Sequence, residues 1–272
     1  MSTQNPQGSS SGGSTRKERR AAERASRKEG GSKPSSTDSG TRSGPSMLVI
    51  SIGAVAIGLV AVVVLMLITG GLGDSASAAI NEPDAAAPAE ELRQGRTLVQ
   101  PGTTPPVSID VYEDPQCPAC GQFTERIEPL LIAKHVNSGT ASFTYNDLVF
   151  LGDESWEAAV AMRVAEDMDG KFWDYHHVLF ANQDGENGGA FTRERLADIA
   201  EVVGLDRAEF LELMDDPAYR DAVAVSNEAG RELTINSTPS LVVNGEILRG
   251  VPSWEDLDSL ISEAAATAGA EG

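Results

Sequence analysis

The stretch Val107-Ser-Ile-Asp-Val-Tyr-Glu-Asp-Pro-Gln-Cys-Pro-Ala-Cys120 decides the fold of this chain. Its first six residues alternate apolar and polar side chains, which is the pattern of a β-strand. Apolar residues then recur at helical spacing after Pro118, at Phe123, Ile127, Leu130 and Leu131. The stretch therefore predicts a strand, a pair of cysteines, and a helix that begins at the first cysteine.

Cys117 and Cys120 are the only cysteines of the 272-residue chain, and their placement predicts redox chemistry. The first sulfur lies at a helix N-terminus, where unpaired N–H groups and the helix dipole favour a thiolate. Pro118 suits the first helical turn, in which its missing N–H has no helical partner to lose. Cys120 lies one turn further on, so the two sulfurs can form a small, reversible disulfide.

Two other uses of this Cys-Pro-Ala-Cys motif are disfavoured. A structural zinc ion takes four ligands, and besides the two cysteines the chain offers only His135, His176 and His177, without a matching spacing. A purely stabilising disulfide is also disfavoured, because closing so short a loop removes little entropy from the unfolded chain. We therefore predict Cys117 and Cys120 as a redox pair, with no bound metal or cofactor.

Composition limits the function classes further. With 40% hydrophobic and 23% charged residues the chain is globular in character. Its formal net charge of −20 argues against a general nucleic-acid binder, which needs a basic face to neutralise phosphates.

The N-terminal third predicts a membrane anchor. Residues 1–46 hold nine Lys/Arg and four Asp/Glu, which gives a net charge of +5. They contain too few apolar residues to form a core, so we predict a disordered cytoplasmic tail. Its basic cluster is either a topology signal or a contact for anionic lipids. Residues 47–69 carry no charge, and at about 1.5 Å per residue they span about 34 Å as a helix, enough to cross a bilayer.

The positive flank before this segment predicts a single-pass protein with a cytoplasmic N-terminus and an extracytoplasmic catalytic domain. A cleaved signal peptide is the alternative, since Ala76-Ser-Ala78 resembles a cleavage site, but the apolar run is longer than signal peptides usually have. Residues 70–95 are rich in Gly, Ala, Ser, Pro and acids, and predict a flexible extracytoplasmic linker.

The remainder predicts an α/β domain from about residue 96 to 268. A strand is expected over Ala141–Phe150, followed by an all-helical insert over about 153–232. Thr192 and Asp206 are predicted helix caps, and Asp216-Pro217 a helix end. A β-hairpin is predicted from two strands, Ser240–Val243 and Glu246–Arg249, joined by the turn Asn244-Gly245. A last helix should start at Ser253.

Within the insert, one aromatic helix is predicted. Its large side chains recur at helical spacing and are expected to be core, whereas His176 and His177 are expected on a polar face or in a groove. The predicted core residues are Phe172, Trp173, Tyr175, Leu179 and Phe180.

Three separated motifs, in order, resemble the DsbA-like branch of the thioredoxin superfamily in its membrane-anchored bacterial form. They are Tyr112–Gly121, Phe172–Phe180 and Ser237-Thr-Pro-Ser-Leu-Val-Val-Asn-Gly245. The resemblance covers residues 96–268 and implies a thioredoxin fold interrupted by a helical domain. It also implies that Thr238-Pro239 is a cis-proline loop against the active-site sulfurs, able to pair with a substrate backbone.

The sequence departs from that family at two positions. Many relatives carry a buried acid, a proton acceptor beneath the disulfide, six residues before the first cysteine, where this chain has Val111. The nearby Asp110, Glu113 and Asp114 are alternatives for that acid; the competing interpretation of each is an ordinary solvated or capping carboxylate. The strongest oxidants have histidine between the cysteines, where this chain has Ala119 after Pro118. Without that imidazolium we expect a milder oxidant.

The resemblance implies an extracytoplasmic thiol–disulfide oxidoreductase that donates its disulfide to reduced secreted or surface proteins. It also implies a quinone-linked membrane partner of the DsbB or VKOR-like type that re-oxidises the enzyme. A thiol reductase or isomerase, or a non-catalytic thioredoxin-like chaperone that holds extended peptides, are the alternatives.

Overall fold

The structure, a computed structural model, describes residues 79–271. The predicted tail over 1–46, the predicted anchor over 47–69 and the first part of the predicted linker lie outside these residues. Among the helices between residues 79 and 271, none is both long enough and apolar enough to cross a membrane.

A six-stranded mixed sheet forms the centre of the domain. Its strands are β1 (Arg93–Gln94), β2 (Thr97–Leu98), β3 (Val107–Glu113), β4 (Ala141–Asp147), β5 (Ser240–Val243) and β6 (Glu246–Arg249). Their order across the sheet is β1-β2-β4-β3-β5-β6. The central strand β3 runs parallel to β4 and antiparallel to β5. The strand that precedes the cysteines is therefore held on both edges.

Helices connect and cover the strands. They are α1 (Pro118–Arg126), α2 (Glu128–Leu131), α3 (Asp153–Asp167), α4 (Phe172–Phe180), α5 (Arg193–Val202), α6 (Arg207–Met214), α7 (Pro217–Glu232) and α8 (Trp254–Glu271). The break between α1 and α2 falls just before Pro129, and α2 continues into a π-helical turn over Ile132–Val136. The order is βαβ, a helical block, then ββα, as the sequence predicts.

Local signals in the sequence correspond to the observed ends of the elements. The side chains of Thr192 and Asp206 accept hydrogen bonds from the third amide beyond each of them, which caps α5 and α6. Asp216 caps the next helix, α7. Asn244 and Gly245 both have positive φ, at 46° and 92°, which is the conformation a two-residue hairpin turn requires.

Two boundaries differ from the prediction. The sheet begins before residue 96, because β1 and β2 form a small hairpin whose Leu98 is buried in the core. Strand β4 ends at Asp147 rather than Phe150, since Val149 leaves the sheet and exchanges hydrogen bonds with the Asn227 side chain of α7. Both differences arise from tertiary contacts that local patterns do not encode.

The aromatic helix α4 is covered on several sides. Phe172, Trp173 and Tyr175 are fully buried, as predicted. The expectation that His176 and His177 lie on a polar face or in a groove is wrong for His176, which is fully buried. His177 is 4% exposed and lines a cavity beside α1, so the groove position is correct for this residue. The helix packs against α1, α3 and α5 and lays its rings on β4, so its polar residues are enclosed as well.

Asp114 connects the end of β3 to the helical insert. One carboxylate oxygen accepts hydrogen bonds from the Gln116 amide (2.9 Å) and the Ser155 hydroxyl (2.6 Å). The other accepts from the amides of Phe150 (2.8 Å) and Leu151 (3.1 Å). The side chain is fully buried, so these four bonds fix the turn that carries Cys117 relative to α3.

We expect Asp114→Ala to lower the free energy of unfolding by about 3–5 kcal/mol, because it leaves several buried donors without an acceptor. Urea denaturation of the full chain measures this change. Asp110→Ala is the matched control: Asp110 makes one long hydrogen bond, to Asn146 at 3.3 Å, and should cost less than about 1 kcal/mol. Equal losses in the two variants would contradict the assignment.

Candidate active site

Cys117 occupies the N-cap position of α1, directly after the turn that ends β3. Its own amide donates to the Asp114 carbonyl at 3.0 Å, and its carbonyl accepts from the amides of Cys120 (3.0 Å) and Gly121 (3.2 Å). The residue is 8% exposed and Cys120 is fully buried. Both cysteines are free thiols in this structure.

The pKa values of the two thiols are shifted in opposite directions. A hydrogen bond from the Cys120 thiol is the main cause that lowers the pKa of Cys117 to about 6; burial opposes it, and the backbone amides of Cys120 and Ala119 assist it. Burial raises the pKa of Cys120 well above its ordinary value, and the hydrogen bond to Cys117 and the charge of Glu113 raise it further. Cys117 is thus suited to act as nucleophile and leaving group, and Cys120 as the resolving thiol.

The Thr238-Pro239 loop lies against the first sulfur. Its peptide bond is cis, as the resemblance implies, and the Cys117 thiol donates to the Thr238 carbonyl at 3.3 Å. Pairing of Ser240 with Tyr112 in the sheet brings the loop to the end of β3 where the cysteines begin. The structure therefore brings together Cys117, Cys120, Thr238 and Pro239.

Gln183, in the loop after α4, is a positioning residue that sequence reasoning missed. Its side-chain amide donates to the carbonyls of Pro115 (2.7 Å) and Cys117 (3.0 Å). Gly121 makes room for it, since a Cβ at that position would clash with the Gln183 side-chain oxygen. No sequence signal distinguishes this glutamine from an ordinary loop residue.

Glu113 is a buried acid beside the redox pair. A solvated or capping role is wrong for both Asp114 and Glu113, whose side chains are fully buried. Of the three candidate acids near the cysteines, Glu113 is the one whose charge raises the pKa of Cys120. Burial raises the pKa of Glu113 well above its usual value, and the charges of Glu128 and Cys117 raise it further. Val111, at the position where relatives carry their acid, is instead part of the apolar core.

Comparisons with known proteins agree with this geometry. The sequence pattern of the family described as thioredoxin matches residues 95–263. Disulfide bond formation protein D of Bacillus subtilis (strain 168) is 26% identical over 161 residues, which are 58% of this chain and 72% of that protein.

Two solved structures are similar in fold. Oxidised BdbD from Bacillus subtilis has a TM-score of 0.59 at 22% identity, covering 68% of this chain and 100% of that one. DsbA of Chlamydia trachomatis has a TM-score of 0.55 at 23% identity, covering 62% of this chain and 90% of that one. The domain therefore has the thioredoxin-like fold.

We expect alkylation of the reduced protein by iodoacetamide to follow the Cys117 thiolate. The rate should rise to half its plateau near pH 6 and fall as the pH drops below that value, because protonation removes the nucleophile. Mass spectrometry should place the label on Cys117, with Cys120 unlabelled at neutral pH. Cys117→Ser is the control and should react slowly throughout; a midpoint near the ordinary thiol value of about 8.5 would refute the assignment.

Proposed function

Because this chain belongs to the thioredoxin family and is a DsbA-like thiol–disulfide oxidoreductase, we propose that it works as an oxidase that donates its Cys117–Cys120 disulfide to reduced proteins. The observation that carries the direction is the low pKa of Cys117, about 6. A stabilised thiolate favours the reduced enzyme, so the disulfide form is a better oxidant.

The exchange proceeds in two displacements. A substrate thiolate attacks the Cys117 sulfur, the S–S bond breaks, and its electron pair leaves on Cys120 while a mixed disulfide forms at Cys117. A second substrate thiolate then attacks the substrate sulfur of the mixed disulfide, which expels Cys117 as a thiolate. The substrate loses two electrons in forming its disulfide, and the enzyme gains them as a dithiol.

Glu113 supplies the proton that this reaction needs. Cys120 is fully buried and its raised pKa makes the free thiolate unfavourable, so the sulfur must be protonated as it leaves. Glu113 is fully buried too, and burial raises the pKa of its carboxyl well above the ordinary value, which favours the protonated acid that donates to the leaving sulfur. When the enzyme is re-oxidised, the same carboxylate takes the proton back.

The same site supports a proposal for the substrates, and the redox cycle requires a re-oxidising partner. The cis-proline loop beside Cys117 gives an extended substrate chain a place to pair with the Thr238 backbone, so unfolded reduced proteins are the proposed substrates. A turnover leaves the enzyme reduced, and we propose that a quinone-linked membrane protein of the DsbB or VKOR-like type removes the two electrons.

We expect the Cys117–Cys120 couple to have a potential more positive than that of thioredoxin, about −270 mV. Equilibration of the full chain in glutathione buffers, followed by alkylation of the free thiols, measures it. The protein should also oxidise a reduced, unfolded substrate such as ribonuclease stoichiometrically.

Ala119→His provides an internal comparison. A histidine between the cysteines lowers the pKa of the Cys117 thiol, so this variant should have a more positive reduction potential. A wild-type midpoint at or below −270 mV would instead favour a reductase. Peptide binding without thiol exchange would favour a chaperone.

We also propose that the domain works outside the cytoplasm, attached by residues 47–69. That segment is uncharged and follows a basic region, which supports an orientation with the N-terminus inside. An oxidising compartment is where a disulfide donor has reduced substrates to act on and a means of remaining oxidised.

Protease added to intact protoplasts should digest the catalytic domain and spare a short stub carrying an N-terminal tag. A cytoplasmic marker protein must survive in the same sample to show that the membrane is intact. Protection of the whole chain would refute the orientation, and release of a soluble form cut near Ala78 would replace the anchor by a cleaved signal peptide.

A further inference from the structure

Glu128, His176 and His177 form a buried cluster between α2 and α4 that the disulfide chemistry does not use. Glu128 is the first residue of α2, and the two histidines are neighbours on α4. Each offers a ligand atom, and these atoms lie within 4.8 Å of one another. All three side chains are at most 4% exposed.

Three buried polar atoms of the cluster have no hydrogen-bond partner. Neither carboxylate oxygen of Glu128 accepts a properly aligned hydrogen bond, and Nδ1 of His176 has none either. Oε1 of Glu128 nevertheless lies 3.1 Å from Nε2 of His177. Metal–ligand bonds of about 2.0–2.2 Å at tetrahedral angles place neighbouring donor atoms about 3.3 Å apart, so this spacing suits two ligands of one ion.

In each histidine the ring nitrogen that faces away from the cluster contacts an oxygen atom that holds the ring in place, as is usual for metal-ligating histidines. Nδ1 of His177 lies 2.9 Å from the Trp173 carbonyl, which can only accept, so Nδ1 carries the hydrogen. The Nε2 atom that faces Glu128 then holds a free lone pair in the neutral ring. Nε2 of His176 lies 3.4 Å from Glu113, which holds the second ring in place.

A cavity of about 340 Å³ lies beside α1 and reaches one residue of this cluster. His177 and Thr124 line it, and the Thr124 hydroxyl is another buried atom without a partner. Glu82, Asp84 and Glu125 also line it, and its walls contain neither lysine nor arginine. The negative charge of the entrance attracts cations.

We propose that Glu128, His176 and His177 bind a divalent transition metal ion of the zinc type, separate from the redox cysteines. Two imidazoles and one carboxylate are a donor set that suits Zn²⁺ and its neighbours, with a water molecule as a further ligand. The ion also balances the charge of the Glu128 carboxylate, which is buried and pairs with His177.

The test is a titration of the oxidised full chain, purified in detergent without a polyhistidine tag, with Zn²⁺ or Co²⁺. Oxidation removes the cysteine sulfurs as competing ligands. Calorimetry should give one ion per chain, and Co²⁺ should produce visible ligand-field bands without a sulfur-to-metal charge-transfer band. Zn²⁺ should also raise the melting temperature, because it binds the folded state.

Variants locate the site. Glu128→Gln and His177→Gln should each weaken Zn²⁺ binding by more than about tenfold. His135→Gln is the matched control, since its ring pairs with Asp258 in another part of the domain and the variant should bind as the wild type does. Circular dichroism of each variant reports whether it is folded.

Three results would overturn the proposal: no binding by the oxidised wild type, equal weakening in His135→Gln, or binding confined to the reduced protein. The wild-type titration decides the first and third even if a variant fails to fold. None of these results bears on the disulfide-donating function, which the glutathione equilibrium measures independently.

Discussion

The placement of Cys117 at the N-terminus of α1, immediately after the central strand, is the constraint on which the rest of the site depends. The strand is held between β4 and β5, so the turn that follows it has little freedom. Asp114 fixes that turn from the side of the insert and Gln183 from the side of the cavity. The first sulfur is thereby kept next to amide groups that stabilise a thiolate.

Burial then makes the two cysteines chemically different, although they lie one helical turn apart. Cys117 retains a small opening to solvent and faces the Thr238 carbonyl, whereas Cys120 points into the core. A buried thiolate is costly, so negative charge is concentrated on the sulfur that substrates can reach. The helical insert contributes to this asymmetry because α4 packs against α1.

The sequence predicts those parts of the molecule that local rules control. The strand before Cys117, the capping residues Thr192 and Asp206, and the Asn244-Gly245 turn all depend on nearby residues, and each is found where expected. Cys117, Cys120 and the cis bond before Pro239 follow from the motif and the family resemblance.

The parts that could not be predicted are set by contacts between distant segments. Gln183 lies 66 positions from Cys117, and nothing near it in sequence indicates that its amide reaches the active-site turn. The burial of His176 and His177 depends on α1, α3 and α5 surrounding α4, which helical periodicity alone does not reveal. Glu113 is one of three candidate acids in the sequence, and it could not be preferred over Asp110 and Asp114 because the alternation of buried and exposed residues ends before Glu113 in β3. An acid therefore lies beside the sulfurs, although Val111 occupies the position at which relatives carry their buried acid. Burial of a carboxylic acid costs free energy, and the proposed transfer of a proton to and from Cys120 in each catalytic cycle accounts for an acid at this position.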